Sequence, residues 1–379
     1  MKGKMQNSDK ILSVPRKNRL IALDALRGFD MFWITGGVTL VRALTKDSSS
    51  DWLNTLAEQT RHVNWEGFHF YDLIFPLFMF ISGVAIPYSI LSKLDKGSTK
   101  KELVIKAARR MVILIVLGII YNGTLRDGFS NPLLESVLGQ IGVAYFFASL
   151  IVIYAPSFRT WLYWLFGILT GYSAVQLFVP VPGVGAGVLT PDGCINGYID
   201  RMLLPGRLYG GSYAPEGLLC MISATGITLM GAVAGHFLQH DGKTMYQKLY
   251  ILSVIGVGLI ILALIIQPFY PVIKNCWTST FNLLAGGISF LLMALFYLII
   301  DILKWKKWAY FFMVIGMNSI FIYILKAMVN VNYTSNYLFG WIATPLGGRW
   351  GELIIIAGNI LLTWSLLYYM YKKKIFIKV

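Results

Sequence analysis

Long apolar runs constrain this chain more than any other feature of its sequence. A helix needs about 20 mostly apolar residues to cross about 30 Å of hydrocarbon. The chain is 56% hydrophobic and only 13% charged, whereas soluble domains carry about 25% charged residues. We therefore predict an all-α, polytopic membrane protein embedded in a lipid bilayer. The predicted spans are 24–44, 68–92, 104–122, 137–155, 160–179, 217–238, 247–268, 279–302, 307–328 and 350–372.

The distribution of lysine and arginine predicts the orientation of these spans. Cytoplasmic loops carry an excess of both residues. With the N-terminus inside, 24 of the 33 lysines and arginines fall on the cytoplasmic side and 9 on the outer side. We therefore predict that both termini are cytoplasmic. The net charge of +15 follows from this topology, so we expect no nucleic-acid partner. Lys372–Lys374 is interpreted as an anchor to lipid headgroups.

The domain organisation predicted from the sequence is simple. Residues 1–20 form a basic cytoplasmic segment, and residues 21–379 form a single transmembrane domain. Long outer loops are expected at 45–66, 180–216 and 329–349. The three cysteines are too few for a disulfide framework, and pairing of Cys194 with Cys276 is left open.

Titratable residues gather where the second predicted span begins, in HVNWEGFHFYDLIFP. His62 can exchange a proton at physiological pH. His69 and Asp72 are three residues apart and share one helical face. Pro76 has no amide proton, so the carbonyl of Asp72 loses its helical partner. Because a charge inside a span costs on the order of 2.5 kcal/mol unless it is paired or wetted, we predict a polar site on the outer face. Asn64 and Trp65 join it as candidate substrate-binding residues.

Other polar residues lie far apart in sequence but at predicted helix ends. Glu216 precedes the sixth span, Lys274 and Asn275 precede the eighth, and Asn318 lies inside the ninth. A buried amide without partners costs about 1–3 kcal/mol. We therefore expect these side chains to converge with His69 on one substrate-binding cavity.

A second group of charges lies at the cytoplasmic start of the first span. Asp24, Arg27 and Asp30 recur every third residue and share one helical face. Two interpretations stay open. The residues form a structural ladder of ion pairs, or Arg27, held by its acids, contacts an anionic cytosolic ligand.

The order of several motifs resembles the heparan-α-glucosaminide N-acetyltransferase family, which includes bacterial relatives of the lysosomal enzyme. The resemblance covers nearly the whole chain from about residue 19. The motifs are RLIALDALRGF, HVNWEGFHFYDLIFPLFMFISG, VLGQIGVAYFFASL, NGYIDRMLLPG, APEGLL, GAVAGHFL, PVIKNCWTSTF and GMNSIFIY. The family often has Asp-Pro-Glu-Gly where this chain has residues 214–217, and Asn-Lys-Asn where it has residues 273–275. The large N-terminal luminal segment of the lysosomal enzyme is not expected here.

The resemblance implies transfer of an acetyl group from cytosolic acetyl-CoA to the amine of a glucosamine-type sugar outside. It implies that His62 is the active-site histidine. We expect Asp72 to act with it as a catalytic residue, and Asp24 and Arg27 to lie at the acetyl-CoA nucleotide. No metal is expected, the implied location is a bacterial cytoplasmic membrane, and a homodimer is left open. Direct transfer and an acetyl-His62 intermediate both remain open.

Two other functions fit the same sequence. A secondary transporter of a sugar or organic anion would also place charges such as Asp30, Asp72 and Lys326 inside spans, and would also have a proline-interrupted helix. An O-acetyltransferase of a cell-envelope glycan would use a similar cofactor with a non-amino acceptor. Transport of unmodified solute distinguishes the first alternative, and acceptor profiling distinguishes the second.

Overall fold

A computed structural model describes residues 20–46, 48–124, 131–155, 157–240 and 242–377 of the chain. These residues form an all-helical bundle in which no strand occurs and two isolated β-bridges join loops. Most of the predicted basic segment 1–20 lies outside the described residues. The helices are α1 Ile21–Phe32, α2 Val38–Thr45, α3 Asp51–Gln59, α4 Phe70–Leu94, α5 Lys100–Tyr121, α6 Val137–Tyr154, α7 Phe158–Phe178, α8 Ile195–Leu203, α9 Leu218–Gln239, α10 Met245–Ile266, α11 Ser279–Phe296, α12 Ala309–Gly316, α13 Ser319–Met328, α14 Val331–Leu346 and α15 Gly348–Lys372.

Helices cover all ten predicted ranges, but not all of them are long and apolar enough to cross a membrane. Within the described part of the chain, six helices meet that condition: α4, α6, α9, α10, α15 and α11 with its π-helical extension to Ile302. The pair α12 and α13 counts as a seventh if it is one span, although it bends by 71° at its break. This is the pattern of a multi-pass membrane protein. Ten spans and the orientation of the termini stay predictions.

Two of the remaining predicted spans have visible reasons for falling short. The first predicted span is divided into α1 and α2 by a π-helical segment, Trp33–Gly37. Helix α5 carries Lys106, Arg109 and Arg110 in its first half, which lowers its mean hydropathy. The prediction of loops at 45–66, 180–216 and 329–349 was wrong in part, because each contains a helix: α3, α8 and α14 respectively.

The core of the bundle is the contact between α4 and α9. Glycines make this contact close: a Cβ atom on Gly83 would lie 1.9 Å from the carbonyl oxygen of Thr228, and one on Gly231 would lie 2.0 Å from that of Phe80. Gly235 similarly faces the backbone of Val84. Small residues let membrane helices approach until their backbones touch. Pro76 lies within α4, which continues unbroken from Phe70 to Leu94.

Other helices are peripheral. Helix α10 is the most apolar, with a mean hydropathy of 3.0, yet only 17% of its most apolar window is buried inside the bundle. A helix that exposes this much apolar surface is stable where hydrocarbon surrounds it. Cys194, Cys220 and Cys276 are buried as free thiols, so the pairing of Cys194 with Cys276 is not present.

Candidate functional site

An isolated β-bridge joins two loops that are far apart in sequence. Glu66 pairs with Ile273, and the amide of Gly67 donates to the carbonyl of Val272 over 2.9 Å. The first loop leads into α4, and the second lies between α10 and α11. The bridge therefore brings His62 next to Lys274, 212 residues away.

His62, Asp72 and Lys274 form the centre of the site. The Nδ1 atom of His62 lies 2.7 Å from Oδ1 of Asp72, and Nζ of Lys274 lies 3.3 Å from the same oxygen. The second oxygen of Asp72 accepts hydrogen bonds from the amides of Val63, over 3.3 Å, and His69, over 3.0 Å. Asp72 thus fixes the loop, the start of α4 and both basic side chains at once.

The contacts of His62 decide its tautomer. Nζ of Lys274 lies 2.8 Å from Nδ1 and 3.4 Å from Nε2. A buried carboxylate at 2.7 Å is the stronger partner for an imidazole N–H, so we assign the proton to Nδ1, donating to Asp72. The Nε2 atom then carries the lone pair that can accept a proton, 3.4 Å from Nζ of Lys274. The ring stacks on Tyr71, with 4.6 Å between the ring centroids, and the side chain is 52% exposed.

The third part of the site comes from the segment between α7 and α9. The indole of Trp65 donates to the carbonyl of Leu189 over 2.7 Å, and its ring meets Tyr213 edge to face. The amide of Asn275 donates to the carbonyl of Asn64 and to the hydroxyl of Tyr213, each over 3.5 Å. Three segments therefore form one cap at one end of the bundle.

A cavity of about 530 Å³ lies beneath this cap. Both polar and apolar side chains line it. This volume falls within the range of small-molecule sites. The lining residues are Met31, Ile34, His62, Val63, Asn64, Tyr71, Ile74, Phe75, Phe78, Tyr121, Asn122, Leu133, Glu135, Ser136, Val137, Leu138, Ile141, Tyr209, Tyr213, Pro215, Glu216, Lys274, Asn275, Ile320 and Tyr323.

Burial shifts the pKa of two titratable groups that line the cavity. Burial lowers the pKa of Lys274, and the neighbouring charges of Asp72 and Glu216 oppose that shift. Burial raises the pKa of Glu216 to about 7, while Lys274 acts in the opposite direction. An acid of this kind can exchange protons near neutral pH.

The structure brings most of the predicted outer residues together. His62, Asn64, Glu216, Lys274 and Asn275 line the cavity. Asp72 contacts two of these residues, His62 and Lys274, through its carboxylate. Trp65 and His69 support the cap without lining the cavity, and the ring of His69 contacts the carbonyl of Arg61 over 3.1 Å.

Asn318 does not reach this cavity, so the prediction that it converges there was wrong. Its side chain is fully buried at the break between α12 and α13. The amide nitrogen donates to the carbonyl of Ile375 over 3.1 Å, and the amide oxygen accepts from the amide of Ile377 over 2.9 Å. The C-terminal segment therefore occupies both ends of this amide.

The predicted acid–base–acid ladder is present only in part. Arg27 pairs with Asp24 at 3.5 Å, and neither residue lines the cavity. Asp30 is fully buried, and neither of its carboxylate oxygens has a hydrogen-bond partner among the described residues. Arg27 thus favours one acid because Asp30 points into the bundle.

Several cavity residues were not predicted from the sequence, chiefly Glu135, Tyr209 and Tyr323. Glu135 lies two residues before the start of α6 and is 3% exposed, and its carboxylate accepts the amide of Tyr209 over 2.8 Å. A glutamate next to an apolar run was the available signal, since Glu216 has the same position before α9.

Known proteins that are similar in sequence provide evidence independent of the geometry of the cavity. No protein-family model matches the chain. The heparan-alpha-glucosaminide N-acetyltransferases of Mus musculus and Homo sapiens are each 29% identical to it over 84% of its length. The chain is related to these acetyltransferases. It spans 56% of the length of each of the two relatives.

Proposed function

We propose that this protein transfers the acetyl group of cytosolic acetyl-CoA to the amine of a glucosamine-type sugar on the outer side of the membrane. One observation carries the proposal: the oriented imidazole of His62 opens onto a cavity that continues into the bundle. The relation to the N-acetyltransferases supports the reaction type. Within this proposal, residues 21–379 act as one transmembrane acyltransferase domain.

The chemistry requires a base and a donor for developing negative charge. His62 Nε2 removes a proton from the attacking amine, and general-base help of this kind contributes about 10²–10⁴-fold to the rate. Asp72 holds the ring through Nδ1 and stabilises the imidazolium that forms. Lys274 donates to the oxyanion that develops on the acetyl carbonyl.

The other residues bind the two substrates. Asn64, Glu216 and Asn275 contact the acceptor from the mouth of the cavity. Arg27, held by Asp24, contacts the nucleotide of acetyl-CoA from the middle of α1. Ile34, which lines the cavity, follows Arg27 by seven positions, about 10 Å along the helix axis. The pantetheine arm would follow this path.

Sided proteoliposomes test the proposal. With acetyl-CoA trapped inside and glucosamine outside, we expect N-acetylated glucosamine to accumulate outside and free CoA to appear inside. Empty liposomes serve as the control. Uptake of unmodified glucosamine without acetyl-CoA would instead indicate a transporter, and acetylation of glucose at the same rate would indicate an O-acetyltransferase.

The same preparation separates direct transfer from a covalent intermediate. We propose direct attack in a ternary complex. Acetyl-CoA labelled in its acetyl group, supplied without acceptor, should leave no label on the protein after acid quenching. Label on His62 that forms at the rate of turnover would contradict direct attack while leaving the overall reaction intact.

A further inference from the structure

We propose that Glu135 and Glu216 together receive the acceptor's ammonium group, and that Glu216 removes its first proton before His62 acts. This inference rests on the function proposed above and adds two roles to it. Glu135 becomes a specificity-determining residue, and Glu216 becomes a proton acceptor.

The two glutamates reach the cavity from different helices. Glu135 lies just before α6, and Glu216 lies just before α9, yet both line the same cavity. Glu135 is held in place, because its carboxylate accepts the backbone amide of Tyr209. Glu216 forms no ion pair in the part of the chain that the structure describes. A charged carboxylate that faces a cavity without an ion-pair partner suits a cationic ligand.

The balance of charge around the cavity favours the same ligand. Lys274 acts electrostatically on Glu216, but Asp72 already lies 3.3 Å from its ammonium. Arg207 acts on Glu135 electrostatically from outside the cavity lining. Among the described residues, two glutamates therefore line the cavity beside Lys274, whose ammonium is already paired with Asp72. A neutral hydroxyl gains little from this arrangement, whereas an ammonium gains charge-assisted hydrogen bonds.

The proton balance of amide formation requires two acceptors. An amino sugar arrives largely as its ammonium form, which cannot attack a thioester. Glu216 takes one proton from this ammonium, giving a free amine and a neutral carboxylic acid. The amine nitrogen then bonds to the acetyl carbonyl carbon, His62 takes the second proton, and the carbon–sulfur bond breaks. His62 passes its proton to the departing thiolate, and Glu216 releases the first proton to water.

The protonation equilibrium of Glu216 fits this role. Burial raises its pKa to about 7, with a further contribution from the charge of Glu135. Primary ammonium groups such as the α-amino group of a protein have pKa values of about 7.7–8.0. Proton transfer between groups of similar pKa is close to thermoneutral, so Glu216 can both accept and release the proton.

Binding measurements without acetyl-CoA test the ammonium site directly. The wild-type protein should bind glucosamine at least about tenfold more tightly than glucose at pH 6.5, because the ammonium gains charge-assisted bonds. Glu135→Gln and Glu216→Gln should each reduce this preference several-fold. The glutamine of Glu135→Gln still has a carbonyl oxygen to accept the amide of Tyr209. Glu66→Gln is the matched control, since Glu66 lies on the exposed side of the cap and outside the cavity lining.

The pH dependence of transfer tests the proton role. Glu216→Gln should lose about tenfold or more in kcat/KM for glucosamine at pH 6.5, and the loss should shrink several-fold by pH 9, where the acceptor is already a free amine. A loss that stays constant from pH 6.5 to pH 9 would overturn the proton role. An unchanged preference for glucosamine in both variants would overturn the ammonium site. If the wild-type protein makes no acetylated product, the proposed function fails instead, and the binding preference still tests the ammonium site alone.

Discussion

The cap and the opposite end of the bundle carry similar polar residues but use them differently. In the cap, the side chains of Glu216, Lys274 and Asn275 face a cavity. At the opposite end, the amide of Asn318 donates to and accepts from the backbone of the C-terminal segment, and Arg27 pairs with Asp24. A polar residue in an apolar run therefore indicates a binding site only when its side chain also faces a cavity, as Lys274 and Asn275 do despite their hydrogen bonds within the cap.

Among substitutions in the two regions, replacement of His62 in the cap should have the largest effect on acetyl transfer. His62→Ala should reduce acetyl transfer by about 10²–10⁴-fold, because the general base is lost. Affinity for acetyl-CoA should change little. His240→Ala is the control, since His240 is exposed at the end of α9. Transfer near the starting rate in His62→Ala, measured by product formation in proteoliposomes, would show that the assignment of the site is wrong.

Asp72→Asn should have a smaller effect on the same reaction. The imidazole stays in the cavity, but the carboxylate that fixes its tautomer is lost, so we expect a decrease in kcat at the lower end of the general-base range, about 10²-fold, with little change in KM. Asp192→Asn, an exposed change in the same cap, should leave both constants unchanged. A change confined to KM would indicate that Asp72 binds the acceptor and does not orient His62.

Asp200→Asn should stabilise the cap and so raise the thermal stability of the protein. Burial raises the pKa of Asp200 from 3.8 to about 6, although its carboxylate accepts the amide of Leu218 over 2.9 Å. A carboxyl group whose pKa is higher in the folded than in the unfolded state contributes its full stabilisation only at a pH below its unfolded-state pKa. That stability is lost as the pH rises through about 6, at a cost of about 2–3 kcal/mol.

Asparagine keeps the acceptor for Leu218 without the charge. The thermal midpoint of Asp200→Asn should therefore exceed that of the wild-type protein at pH 8, with a smaller gain at pH 4.5. Thermal unfolding in detergent, followed at both pH values, measures this. An equal effect at the two values would show that ionisation of Asp200 is not the cause.

Asn318→Ala should act on stability alone and have the smallest effect. It removes both hydrogen bonds to the C-terminal segment, with an expected loss of about 1–2 kcal/mol. The folded fraction should transfer acetyl groups at the wild-type rate. Asn336→Ala, on the exposed surface of α14, is the control for stability. A specific loss of transfer without a loss of stability would return Asn318 to the substrate site.

The helical architecture was predictable because it depends on local sequence. Runs of about 20 apolar residues specify helices in hydrocarbon, and helices cover every range predicted from them. Boundaries were less predictable where tertiary contacts decide them. The π-helical segment after α1 leaves no mark in hydropathy. Asn318 interrupts the ninth apolar run without specifying a bend, and α14 formed where a loop was expected.

The candidate site was predictable in part. His62 and Asp72 lie in one continuous motif, so their proximity follows from a short connection into α4. The position of Lys274 beside them depends on the bridge between Glu66 and Ile273, a backbone contact that side-chain types do not encode. Glu135 was missed for the same reason, because a single glutamate before an apolar run has no distinctive spacing.

The sequence by itself determined that this chain forms apolar helices and carries a histidine and an aspartate at the start of one of them. Hydrophobic periodicity and composition are local properties, and they act before any helix meets another. Only the tertiary structure decided which polar groups face the cavity and which are consumed by backbone contacts. That distinction depends on the close packing of α4 against α9 and on the joining of three distant loops, and both arise only when the whole bundle assembles.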